Sequence, residues 1–183
     1  QLLVHGCFVD EYRSLIDDVR TAIPDRDRAD AVLALLALMQ GKALAWDSKQ
    51  IVWDMTRQKI NPTFVLHAFP IRGTFAEFEG ASELFGWAHR RLVANYKEIA
   101  ELVEPKPSVS LLDDPTLNTN AGSVLVTQGT AGHMPMIPDG SQTLVCIDPP
   151  YYDNVMYAEL ADFFYVWEKR TLGCLWPEFF VDE

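Results

Sequence analysis

The residues with the clearest chemical meaning are four in a row: Asp148, Pro149, Pro150 and Tyr151. Two successive prolines donate no backbone hydrogen bond and have a fixed φ, so the peptide is stiff and its carbonyls stay free to accept. A carboxylate and a carbonyl held side by side can accept both hydrogens of a planar amine. The nitrogen is then drawn toward tetrahedral geometry, its lone pair is freed to attack an electrophilic methyl group, and the positive charge that develops is stabilised. Asp148 and the Pro149 carbonyl supply the acceptors, Pro150 completes the rigid turn, and Tyr151 offers an aromatic face on which a base taken out of a helix can stack. Tyr152 and Tyr157 stand close enough in sequence to line the same base pocket.

Such a tetrad needs a strand to end on and a helix to follow it. Residues 142–147 form a short apolar run, Leu144-Val145-Cys146-Ile147 at its end, that has strand length and stops at Asp148. Residues 123–128 form a second β-branched run bounded by glycines. After the tetrad, residues 157–172 are amphipathic at helical period, with Leu160, Phe163, Phe164 and Trp167 on the apolar face and Gly173 as the stop. Strand, loop, strand, motif and helix make an α/β pattern in which ligands bind outside the carboxyl ends of the strands, where Asp148 falls.

The preceding part of the chain is helical in pattern. Helices are predicted over residues 9–20 and 28–39, separated by Pro24, and Val32, Leu35, Leu36 and Met39 form one stripe of a second helix apolar enough all round to be buried. A third is predicted from an N-cap at Ser82 to Val103, with Phe85, Ala88, Leu92, Tyr96, Ile99 and Val103 on one face. Residues 46–80 mix Trp, Phe, Pro and Gly without period and read as an irregular connection, and residues 104–122 have the composition of a linker. The expected organisation is therefore a mainly helical accessory region at 1–107 and a partial catalytic core at 108–183.

Composition bounds the partners. With 26 acidic against 15 basic residues the chain carries a net charge of −11, the wrong sign for gripping a phosphate backbone, so any DNA contact is expected to come through a fuller protein. Cys7, Cys146 and Cys174 are odd in number and far apart, which suggests neither a disulfide framework nor a zinc site. His5, His67 and His89 are too dispersed for a ligand set, His133 reads as a solvated loop residue, and Asp148, Asp153 and Asp162 do not converge on a metal. No apolar run approaches the roughly eighteen residues of a membrane span, and a cytoplasmic location is expected. The chain starts at Gln1 and stops at Glu183 just after an apolar run, which reads as a piece of a longer protein.

The tetrad looks like motif IV of amino-methyltransferases. Residues 148–172, with Gly129-Thr130-Ala131 upstream, resemble the large adenine-specific DNA methylases found near phage-defence genes, in which the motif is followed by Tyr-Asp and an aromatic helix, as in Tyr152-Asp153-Asn154-Val155 and Asp162-Phe163-Phe164-Tyr165-Val166-Trp167. Trp53-Asp54, Phe69-Pro70 and Phe75-Ala76-Glu77 are similar to the insert of those proteins. The resemblance implies a partial Rossmann-like methyltransferase core, S-adenosylmethionine as cofactor, an adenine exocyclic amine in DNA as acceptor, and defence-system proteins as partners. It also implies that Gly129, Thr130 and Ala131 touch the cofactor and that Tyr152, Asn154 and Tyr157 touch the substrate. Two departures stand out. The glycine-rich cofactor loop is absent and is expected upstream of Gln1, and Thr130 replaces the acidic residue usual at its position. The same acceptor geometry also serves an RNA base or a protein glutamine amide, although glutamine methylases usually begin the motif with Asn. A third reading makes the chain a non-catalytic interaction fragment.

Overall fold

The computed structural model describes residues 1–65, 69, 72–103, 126–127, 129–152 and 154–181. Its compact units are Gln1–Ala94 together with Tyr151–Glu183, and Asn95–Pro150. The linker-like residues 104–122 and the expected boundary after residue 107 lie outside the described residues.

The first unit is built on a helical hairpin. Helix α1 (Leu2–Ala22) ends just before Pro24, and α2 (Arg26–Leu44) begins after Asp25, whose carboxylate accepts from the Arg28 N–H at 3.1 Å as an N-cap. Both helices outrun their predicted spans, since local pattern marks the apolar middle of a helix better than its ends. The Tyr12 hydroxyl donates to the Leu33 carbonyl at 3.2 Å and the Gln40 amide donates to the His5 carbonyl at 3.2 Å, so positions late in α2 meet positions early in α1. The pair is therefore antiparallel. At the turn end, Arg20 closes on Asp30 at 2.8 Å.

Helix α2 is buried at Ala29, Leu33, Ala37, Met39, Gln40, Ala43 and Leu44. Of the stripe its larger side chains suggested, Met39 is buried in the core, while Val32, Leu35 and Leu36 are half-buried. Small residues let α1 approach closely, and the bulkier leucines flank the contact. Phe8 stacks on Phe85 with ring centroids 4.8 Å apart, tying α1 to α3 (Leu84–Val103). Met39, Ala43, Leu84 and Ala88 close that core.

The aromatic connection after α2 contains a hairpin that its mixed composition hid. Strands β1 (Val52–Asp54) and β2 (Lys59–Asn61) pair antiparallel with Trp53 opposite Ile60. Asp54 organises the turn by accepting from the Thr56 and Arg57 amides at 3.0 Å each, and Gln58 takes the left-handed conformation, φ 49°, needed to return the chain. Thr63 then docks the hairpin on the end of α2, its N–H donating to the Ala45 carbonyl at 2.8 Å and its hydroxyl sharing a hydrogen bond with Ser48 at 2.8 Å.

Helix α4 (Tyr157–Thr171) lays Phe163, Phe164 and Trp167 toward this core, with Leu160 also half-buried. Gly41 faces Glu168 and Phe164 of this helix, and a Cβ there would make only ordinary contact with them, 3.8 and 4.0 Å away. Arg13 of α1 donates to the Arg170 carbonyl at 3.1 Å. The helix tightens into a 3-10 turn at Leu172–Cys174, so Gly173 falls inside the stop rather than after it.

Helix α3 contains the face expected for it, but packing covers only its first half. Leu84 and Ala88 are buried and Phe85 and Leu92 half-buried, whereas Tyr96, Ile99 and Val103, in the part assigned to the second unit, are exposed. In that unit residues 129–150 are irregular apart from an isolated bridge between Thr130 and His133.

Candidate functional site

Asp148, Pro149 and Pro150 close the second unit as exposed, irregular backbone. The strand expected to lead into them is not formed. Residues 142–147 have no pairing partner among the described residues, and Leu144 and Ile147 are 77% and 73% exposed. An apolar strand is stable only when neighbours satisfy its backbone and cover its faces. Of the other predicted strand, residues 126–127 are described and unpaired, while 123–125 and 128 lie outside the described residues.

Tyr151 belongs to the first unit, on the segment leading into α4. Its ring is 61% exposed, and its N–H donates to the Tyr157 hydroxyl at 3.4 Å. The Asn154 N–H donates back to the Tyr151 carbonyl at 3.4 Å, and the Tyr157 N–H to the Val155 carbonyl at 2.9 Å, forming a tight approach to the helix. Tyr152 is 98% exposed and Asn154 is also at the surface. Asp153 lies outside the described residues. The structure thus brings Tyr151, Asn154 and Tyr157 together through one short loop and leaves Tyr152 standing free of the core.

Gly129, Thr130 and Ala131 open an exposed turn. The His133 N–H donates to the Thr130 carbonyl at 3.1 Å, and the Thr130 hydroxyl oxygen accepts from the Gly132 N–H at 3.3 Å. A nearby recess of about 380 Å³ is lined by Met134, Ile137, Pro138, Asp139, Gly140 and Val145, with Gln142, and not by this turn or by Asp148. S-adenosylmethionine needs a cleft for its nucleoside and amino-acid ends. The described residues around Thr130 make an exposed turn and no cleft, so by themselves they do not fit that group.

The buried polar residues lie elsewhere, at the open end of the α1–α2 pair. His5 is 1% exposed, between Phe85 and Trp167, and its Nε2 stands 3.6 Å from Asp47 Oδ2. Burial pushes the imidazole down to about 4, so it is neutral near pH 7, and burial pushes the Asp47 carboxyl up. Sequence reading set His5 aside as isolated. No local signal joins His5 to Asp47, because only the packing of α1 on the end of α2 makes them neighbours.

Beside them Glu79 carries out the capping predicted for Ser82. Its carboxylate accepts from the Ala81, Ser82 and Glu83 amides and from the Ser82 hydroxyl, at 2.7 to 3.0 Å, at the entry to α3. The Ser82 hydroxyl and the backbone amides hold that carboxyl down at about 2.

Among the described residues no group of three or more His, Cys, Asp or Glu side chains is placed to hold a metal, and no helix is long and apolar enough to cross a membrane. No protein-family model, curated protein or solved structure matches this chain.

Proposed function

We propose that this chain is the acceptor-binding part of an S-adenosylmethionine-dependent methyltransferase acting on the exocyclic amine of adenine in DNA. The observation that carries the reading is the sequence Asp148-Pro149-Pro150-Tyr151, a stiff run of potential acceptors followed, after residues 152–156, by an aromatic helix. The Asp148 carboxylate and the Pro149 carbonyl accept the two amine hydrogens, so the nitrogen presents its lone pair and the positive charge formed on methylation is compensated. An adenine in duplex DNA must leave the stack to reach such a site, and an extruded base needs a flat partner. The exposed ring of Tyr151, with Tyr157 bound to its backbone, supports that role. Ring-carbon methylation would instead require a cysteine nucleophile, usually one preceded by a proline. Cys146 follows Val145 instead, and Cys7 and Cys174 lack such a setting as well.

The donor would supply an electrophilic methyl group, and because Gly129, Thr130 and Ala131 form an exposed turn, this reading needs further residues to hold it. A net charge of −11 is the wrong sign for gripping a phosphate backbone, so in this reading the DNA contact comes through a fuller protein. The test is mass spectrometry of nucleosides from DNA treated with the protein carrying its flanking sequence and S-adenosylmethionine. N6-methyladenine is the expected product. Methyl on cytosine alone, on RNA alone or on glutamine amides would overturn the assignment.

A further inference from the structure

Charge is not spread evenly along this chain. Between residues 48 and 76 there are four basic residues, Lys49, Arg57, Lys59 and Arg72, against one acidic residue, Asp54, whereas the whole chain has 26 acidic against 15 basic. Three of the four stand on the β1–β2 hairpin or just before it. Lys49, Arg57 and Lys59 are exposed, and none of them is in an ion pair among the described residues. Asp54 is committed to the turn, where its carboxylate accepts from the Thr56 and Arg57 amides and from the Asn61 side chain at 3.4 Å. Its charge is felt by Arg57 and offsets only part of the basic set.

The hairpin also holds a flat apolar group in the open. Of five tryptophans Trp53 alone is exposed, at 51%, and it has no ring partner among the described residues, whereas Trp46, Trp87 and Trp167 pack against other rings. Met55, at the turn, is exposed as well. Around these two stand Asp54, Thr56, Arg57, Gln58 and Lys59, so the patch is too small and too polar for the apolar centre of a protein interface. It has instead the two parts that bind an unpaired nucleic-acid strand, cations for the phosphates and an aromatic face for a base.

We propose that the β1–β2 hairpin is a contact for single-stranded nucleic acid, with Lys49, Arg57 and Lys59 along the phosphates and one base stacked on Trp53. Trp53 and Ile60 share one face of the ribbon and Asp54 and Lys59 the other, and a ribbon two strands wide lets a base fold over its edge while the phosphates stay by Lys59. Thr63 fixes the hairpin to the end of α2 and so gives the contact a helical base. The acidic remainder of the chain opposes binding, which makes the contact weak by itself and confines it to the hairpin. The inference rests on charge and exposure and not on methyl transfer, and its test uses no S-adenosylmethionine, so the two proposals fail separately.

The test is fluorescence anisotropy of a labelled oligothymidylate titrated with the protein at low ionic strength and again at rising salt. Saturable binding is expected, with log affinity falling linearly against log salt. Trp53→Ala should weaken it about tenfold, the scale of one base stacked on one aromatic side chain. Arg57→Gln and Lys59→Gln, at exposed positions that leave the strand pairing intact, should each reduce the magnitude of the salt slope by about 0.7. These two variants decide the matter if Trp53→Ala disrupts the hairpin. Arg28→Gln, which removes an equal charge from the exposed start of α2, should leave the slope unchanged. The proposal is overturned by no saturable binding, by full affinity in a folded Trp53→Ala variant, by unchanged slopes in Arg57→Gln and Lys59→Gln, or by an equal change in Arg28→Gln. It is also overturned by tighter binding of a duplex, which leaves no base free to stack, or by polyglutamate binding as tightly, which would assign the hairpin to an acidic polypeptide.

Discussion

At the scale of single residues, two carboxylates with opposite settings carry testable consequences. Asp148 sits in exposed, irregular backbone, and the proposed reading has it act on a bound amine. In the protein with its flanking sequence, Asp148→Ala should lower methyl transfer by on the order of a hundredfold or more while leaving the thermal melt and cofactor affinity nearly unchanged. Near-normal single-turnover rates in that variant would remove Asp148 from the reaction. Glu79 is already fully engaged as a cap, and its carboxyl is held at about 2 against an ordinary value of 4.5. A folded-state value below the unfolded one means that the unfolded chain takes up the proton first as pH falls. Glu79 therefore adds stability in full above pH 4.5 and loses it progressively as pH falls toward 2. Glu79→Gln should lower the melting temperature at neutral pH and flatten that acid limb, as followed by circular dichroism across the same range. An unchanged limb would mean that the capping bonds are not formed in solution.

At the scale of elements, the antiparallel α1–α2 pair is the structural centre of the first unit, and its seam runs through Leu33, which is fully buried beside Tyr12 and Ala37. Leu33→Ala should cost about 2–5 kcal/mol, because the lost burial adds to the cavity left between two helices that cannot fully close it. Leu38, by contrast, is exposed on the far side of the same helix, and Leu38→Ala should change stability by only about 0.5 kcal/mol. Urea unfolding of the two variants compares the faces directly, and equal costs would mean that α2 does not bury the Leu33 face in preference to the Leu38 face. The comparison matters because the sequence of α2 is nearly uniform in hydrophobicity, so pattern alone could mark the helix but not its inward side. Alanines and Gln40 occupy the seam because close approach and the hydrogen bond to the His5 carbonyl outweigh side-chain size there.

At the scale of the whole molecule, the proposed reading has an acceptor tetrad but draws on an exposed turn at Gly129, Thr130 and Ala131 that offers the donor no cleft by itself. The 183 residues alone should therefore show no tight S-adenosylmethionine binding by calorimetry, and a micromolar or better affinity would contradict the proposed division of labour. What the sequence by itself determined was local: four helical segments set by apolar period and by Pro24, and a tetrad whose stiffness comes from the covalent rings of Pro149 and Pro150. These need only neighbours along the chain. The β1–β2 hairpin was partly legible in Asp54 and the Val52-Trp53 pair, but aromatic residues without period on either side masked it. Tertiary structure alone decided which face of α2 is inside, that Glu79 rather than Ser82 caps α3, and that His5 meets Asp47 next to an acidic recess. Among the described residues, 142–147 also have no pairing partner despite their strand composition. Each of these outcomes depends on groups distant in sequence, where the gain from one contact must exceed the entropy of closing the chain between them, and no local pattern records that balance.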